Sequence, residues 1–169
     1  MTTTLHDAVT DFLAQPRIAV AGVSRSGEGA ASLIYERLRD AGYTVFAINP
    51  EATTIEGDPC YPDIASLPET PDGLVIVTPP DAAPALVQAC ADRGIPRVWM
   101  HRSFGTGSVS DEAAALGRRL GLTVIPGACP MMFLEPVGGG HTCIRWLLKW
   151  TNGLPQPITP TGRALDAPA

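Results

Sequence analysis

The stretch "IAVAGVSRSGEGAAS", residues 18–32, decides the fold. Its apolar run ends at Gly22, a polar glycine-rich turn follows, and a helix-compatible segment begins at residue 30. A short, continuous apolar run of this kind is what a strand buried on both faces requires. A turn that leads such a strand directly into a helix is the opening of a nucleotide-binding α/β unit. The spacing nevertheless departs from the dinucleotide fingerprint G-x-G-x-x-G, because the glycines stand at 22, 27 and 29. The turn is therefore either a degenerate NAD site or a site built for a different phosphate ligand.

The strand–turn–helix pattern repeats along the chain. "RIAVAGV" (17–23), "YTVFAINP" (43–50), "DGLVIVTPP" (72–80), "PRVWMHR" (96–102) and "LTVIPG" (122–127) read as strands. Helices are expected over 30–42 and 81–94, closed by Gly42 and Gly94, the second with Asp81 as its N-cap. A third, over 110–121, has Ser110 as N-cap and two acids in its first turn. An amphipathic helix over 5–14 precedes them, with Leu5, Val9, Phe12 and Leu13 on one face. Alternating strands and helices with short loops specify parallel strands and right-handed helical crossovers. The prediction is a Rossmann-like, doubly wound α/β fold: a five-stranded parallel sheet of order 3-2-1-4-5 with helices on both faces. Residues 1–150 are expected to be one domain, with a C-terminal helical extension over 139–150 and a Pro-rich mobile tail over 151–169. The extension is apolar around most of its circumference through Ile144, Trp146, Leu147, Leu148 and Trp150. It either packs over the sheet edge or joins two copies as a homodimer.

Composition narrows the function. The 169 residues are 45% hydrophobic and 17% charged, which is a globular composition. The net charge of −5 leaves no basic excess to neutralise nucleic-acid phosphates or an anionic membrane. No apolar run is long enough to span a bilayer, and the N-terminus has no basic n-region or apolar core, so a cytoplasmic location is expected. The four cysteines, Cys60, Cys90, Cys129 and Cys143, form no C-x-x-C pair and read as free thiols. Cys129, His141 and Cys143 match no standard zinc spacing, so no metal is expected.

In a sheet of this class, ligands bind at the carboxyl ends of the strands where the order reverses. In the expected order that crevice lies between the first and fourth strands. The turn after the first strand suits phosphate. Gly22 allows close backbone approach, Ser24 and Ser26 carry hydroxyls, Arg25 carries a cationic fork, and the next helix presents its N-terminus. An NAD site would also need an acid ending the second strand, about 20 residues on. That strand ends instead in Asn49 and Pro50, with Glu51 beyond the proline. The third strand ends in Thr78, Pro79 and Pro80, a wall poor in N–H donors that suits an adenine face or an aliphatic arm.

Together "AVAGVSRSGEGAAS", "GYTVFAINPEATTIEGDPCYPDIASLPE", "DGLVIVTPP" and "GACPMMF" resemble the stand-alone CoA-binding domain family. This is a small Rossmann-like module related to the N-terminal domain of the succinyl-CoA synthetase alpha subunit. The resemblance runs from about Arg17 to Phe133 and is sharpest from "INP" through "CYPDIASLPE". It implies CoA or acyl-CoA as ligand. Gly22, Val23, Ser24, Arg25 and Ser26 would cradle the phosphates, Asn49 and Pro50 would flank the adenosine end, and Thr78, Pro79 and Pro80 would line the cofactor. The family often has a basic residue after Asn-Pro. Here Glu51 stands there, and Arg102 after the fourth strand would supply the lost positive charge.

His101 ends the fourth strand and Cys129 follows the fifth, both on the ligand side. They are expected to line the ligand. A histidine there could act as a general base and a cysteine as a nucleophile. With no acid placed by the sequence to orient His101 and no serine in a nucleophile elbow, the set is incomplete. The expectation is a binding protein without catalysis of its own. The alternative is an NAD(P)-binding Rossmann protein, either an oxidoreductase or a redox sensor.

Overall fold

A computed structural model describes residues 4–103 and 105–134. The expected helix over 139–150, its role in a homodimer, the tail over 151–169 and two of the three imagined zinc ligands lie outside the described residues.

Every helix and strand expected within that span forms. The helices are α1 (Leu5–Leu13), α2 (Ala30–Asp40), α3 (Ala83–Arg93) and α4 (Asp111–Arg119). The five expected strands are β1 (Arg17–Ala21), β2 (Thr44–Ile48), β5 (Gly73–Ile76), β6 (Arg97–Met100) and β7 (Thr123–Pro126). Two short strands were not expected, β3 (Thr54–Ile55) and β4 (Asp58–Tyr61). They form a hairpin whose turn residues Glu56 and Gly57 both have positive φ, 50° and 88°. That is the pairing a two-residue type I′ turn demands.

The sheet has seven strands in the order β3-β4-β2-β1-β5-β6-β7. All neighbours are parallel except β3 and β4. This corrects the expected five-stranded order 3-2-1-4-5. The outer side of β2 is filled by the hairpin, with Cys60 opposite Ala47 and Tyr61 opposite Ile48. The segment 73–76 therefore pairs on the other side of β1, with Leu74 opposite Ala19. Pro59, which cannot donate to a ladder, sits in β4, opposite Thr54 of the edge strand β3.

Strand alternation divides the core in two. Ile18 and Val20 of β1 face Val9, Phe12, Ile34 and Leu38 of α1 and α2, whereas Ala19 and Ala21 face the layer of Val87, Cys90 and Ala113 from α3 and α4. Helices thus cover both faces, as the unbroken apolar strands require. At the start of α4, Ser110 caps as expected, its Oγ accepting from the Ala113 N–H. Asp81 does not cap α3. It lies in a 3₁₀ turn, Pro80–Ala82, that runs straight into the helix. Cys60, Cys90 and Cys129 are free and buried, and no helix among the described residues is long and apolar enough to cross a membrane.

Candidate functional site

All the expected site residues stand at the carboxyl ends of the strands. The order reverses between β1 and β5, not between the first and fourth expected strands, because β5 is the neighbour of β1. The crevice is therefore formed by the turn after β1 and the Thr78–Pro80 corner after β5.

Gly22 holds these two segments together. Its φ is +98°, and a Cβ there would stand 2.8 Å from the Val77 carbonyl oxygen. Only glycine allows this approach. The Gly22 N–H donates to the Ile48 carbonyl at 3.0 Å, and the Val77 N–H donates to the Ala21 carbonyl at 3.0 Å. Val23 is fully buried beneath the turn. Beyond it the loop is held by its own serines. The Ser26 N–H donates to Ser24 Oγ at 3.2 Å, and the two hydroxyls lie 2.8 Å apart. The buried Ser32 accepts from the Ser24 N–H at 3.3 Å and donates to the Glu28 carbonyl. Sequence reading passed over Ser32, which looks like an ordinary helix residue. Helix α2 begins after Gly29 with no side-chain cap, so its first N–H groups are directed at the turn without an internal acceptor of that kind.

The Asn-Pro corner is fastened to this turn. Asn49 Nδ2 donates to the Val23 carbonyl at 2.7 Å, and Asn49 Oδ1 accepts from the Glu51 N–H at 2.8 Å. Its own N–H donates to the Tyr61 carbonyl of β4, one of the two unexpected strands. Asn49 is thus a connector, with Pro50 exposed beside it. Arg25 points into solvent and pairs with Glu51 at 3.9 Å. On the other wall, Thr78 and Pro80 are half-buried and Pro79 is exposed.

A second group sits at the ends of β6 and β7. The backbone of His101 is bonded to β5 through the Ile76 carbonyl, and the Arg102 N–H donates to the Ala128 carbonyl. Buried His101 places Nε2 3.1 Å from Ser103 Oγ. Burial pushes the Cys129 thiol up, a shift partly offset by the Met131 N–H and the Ser103 hydroxyl. Ser103 thus stands between His101 and Cys129, and the sequence carried no signal for it. Beneath them the indole of Trp99 donates to the carbonyls of Gly127 and Ala128 at 2.8 and 3.3 Å. These bonds fix Ala128 at a φ of 61°, a conformation a non-glycine residue rarely adopts.

The arrangement offers hydroxyls, a cation and a helix N-terminus at β1, and an N–H-poor wall at β5. A buried polar group closes the row at β6 and β7. The family model for the CoA binding domain matches residues 16–135, which hold nearly every described element and all of these residues.

The chain belongs to the CoA binding domain family.

Family membership supports CoA and gives no support to the NAD(P) alternative. The chain is also similar to the ADP-forming acetate–CoA ligase I of Archaeoglobus fulgidus, at 35% identity over 103 residues. That match covers 61% of this chain and only 15% of the ligase. Ligase II of the same organism is 30% identical over 88 residues, 50% of this chain and 13% of the enzyme. Among solved structures, a hypothetical protein from Pyrococcus horikoshii superposes with a TM-score of 0.70 at 23% identity, covering 76% of this chain and 89% of that one. It shares the fold. The dinucleotide-forming acetyl-coenzyme A synthetase 1 of Ca. Korarchaeum cryptofilum, solved with phosphate and ADP, gives a TM-score of 0.56 at 27% identity, covering 65% of this chain and 25% of that one.

Proposed function

We propose that this chain binds CoA or an acyl-CoA thioester and performs no chemistry of its own on it. The pyrophosphate lies on the turn formed by Gly22, Val23, Ser24, Arg25 and Ser26, and the adenosine lies at the Asn49–Pro50 corner. On this reading the arm follows the strand order. From β1 it passes the Thr78–Pro79–Pro80 wall after β5 and reaches His101 and Arg102 after β6, two strand spacings or about 10 Å away, and then Cys129 after β7, three spacings or about 14 Å away. The observation that carries this reading is the Gly22 turn, pressed against the β5 end and leading into an uncapped helix, in a chain of the CoA binding domain family. The passive role is supported by Cys129, whose burial opposes formation of the thiolate that nucleophilic attack requires.

Calorimetric titration with CoA, acetyl-CoA, NAD and NADP tests the proposal. CoA or acetyl-CoA should bind and the two dinucleotides should not. Tight NAD binding with no CoA signal would overturn it. Arg25→Ala should weaken CoA by about 1–2 kcal/mol, the worth of a charge-assisted bond at an exposed site. An unchanged affinity would remove Arg25 from the phosphate site.

A further inference from the structure

Glu51 follows Asn49 and Pro50, the place where the family resemblance leads one to expect a basic residue. The structure turns it toward the loop after β1. The Glu51 N–H is held by Asn49 Oδ1, Asn49 Nδ2 is held by the Val23 carbonyl, and the Ala52 N–H donates to the Asn49 carbonyl at 3.3 Å. The result is a carboxylate 3.9 Å from the guanidinium of Arg25, with both side chains mostly in solvent at 76% and 65% exposure.

Two consequences follow from charge alone. The Arg25–Glu51 pair is solvated and therefore weak, so an entering phosphate can take Arg25 from it. The Glu51 charge, however, stays at the corner, because its backbone is fixed by the Asn49 bonds. In nucleotide-binding sheets of this kind, an acid at the end of the second strand faces the ribose, where it accepts from free hydroxyls and repels a ribose phosphate. A second carboxylate, Glu56, flanks the same turn near Gly27, but Arg39 neutralises it at 2.9 Å.

We infer that Glu51 is a specificity-determining residue that biases this site toward a ligand whose ribose carries free hydroxyls and against one carrying a 3′-phosphate. The inference rests on the CoA reading above. It makes the chain a site at which dephospho-CoA, which differs from CoA only in lacking that phosphate, binds at least as well as CoA.

The experiment titrates wild type, Glu51→Gln and Glu56→Gln with CoA and with dephospho-CoA. Removing the Glu51 charge should strengthen CoA about three- to tenfold more than it strengthens dephospho-CoA, as expected for one charge facing a phosphate across partly screened solvent. Glu56→Gln should leave the ratio of the two affinities unchanged. An equal gain for both ligands with Glu51→Gln would make Glu51 only a competitor for Arg25 and overturn the selectivity. A ratio shift in Glu56→Gln as large as that in Glu51→Gln would overturn the assignment to Glu51. If neither ligand binds any of the three proteins, the CoA reading itself fails and this inference fails with it.

Discussion

Replacing Gly22 by alanine tests the geometry on which the site depends. Two costs are separable. The first is backbone strain. A φ of +98° is disfavoured for any residue with a Cβ, at about 1–2 kcal/mol. The second is steric. The added carbon would stand 2.8 Å from the Val77 carbonyl oxygen and 3.3 Å from Thr78 Cγ2. The Val77 backbone cannot move aside cheaply, since its N–H is bonded to the Ala21 carbonyl and the strand it leaves is paired on both sides. Overpacking of this kind costs a further 1–3 kcal/mol or about that. The sum, about 2–5 kcal/mol, corresponds to a fall in melting temperature of roughly 4–20 °C for a chain of this size. Gly42→Ala is the internal comparison. Gly42 has a φ of +90°, and a Cβ there would meet nothing within 4 Å. It should show the strain alone, and the effect of alanine on the unfolded chain is common to both variants. Thermal unfolding followed by circular dichroism reads the difference. Equal losses in the two variants would refute the close approach of the turn to the β5 end. So would an undiminished CoA affinity in a folded Gly22→Ala protein.

Two further predictions concern the frame around the site. Asp72 accepts from Arg17 Nε and Nη2 at 3.1 and 2.8 Å and from the Arg17 N–H at 3.2 Å, and the Arg17 guanidinium holds its carboxyl below the usual range. A depressed carboxylate stabilises the fold above its unfolded pKa and loses that contribution as pH falls through the folded value. Asp72→Asn should therefore lower the unfolding midpoint at pH 7, with the gap to wild type closing below about pH 4; a pH-independent gap in urea titrations would refute the charge argument. Trp99→Phe removes the buried donor to the Gly127 carbonyl and should cost about 1–3 kcal/mol in denaturant unfolding, so an unchanged midpoint would mean that the strained Ala128 turn does not depend on the indole.

Much of the fold was legible because it follows from burial. Strands covered on both faces must be apolar throughout, and β1, β2, β5, β6 and β7 announce themselves in that way. The hairpin did not. Thr54–Ile55 is too short to show alternation, Asp58–Tyr61 contains Pro59, and its turn is Glu-Gly instead of the usual Asn-Gly. Glu56 accepts a positive φ there while its carboxylate is held by Arg39. The error in strand order came from the same omission. With no strand read between residues 50 and 72, the outer place beside β2 had to go to the next apolar run, and the reversal point moved with it.

The site was legible as positions and illegible as partnerships. Strand ends can be read off a sequence, but the bonds that join them link residues far apart along the chain. Asn49 shows what this difference changes. From sequence it is the absence of a ribose carboxylate. In the structure it is a residue that needs both halves of an amide, donating through Nδ2 to the Val23 carbonyl and accepting through Oδ1 from the Glu51 N–H. An ionised aspartate at this position accepts only. It could keep the bond to Glu51 but would set its second oxygen against the Val23 carbonyl and release the turn after β1 from the corner. The departure from the NAD pattern therefore has a structural cause that holds whatever the ligand. The same amide that excludes the acid at position 49 delivers one at position 51, beside Arg25.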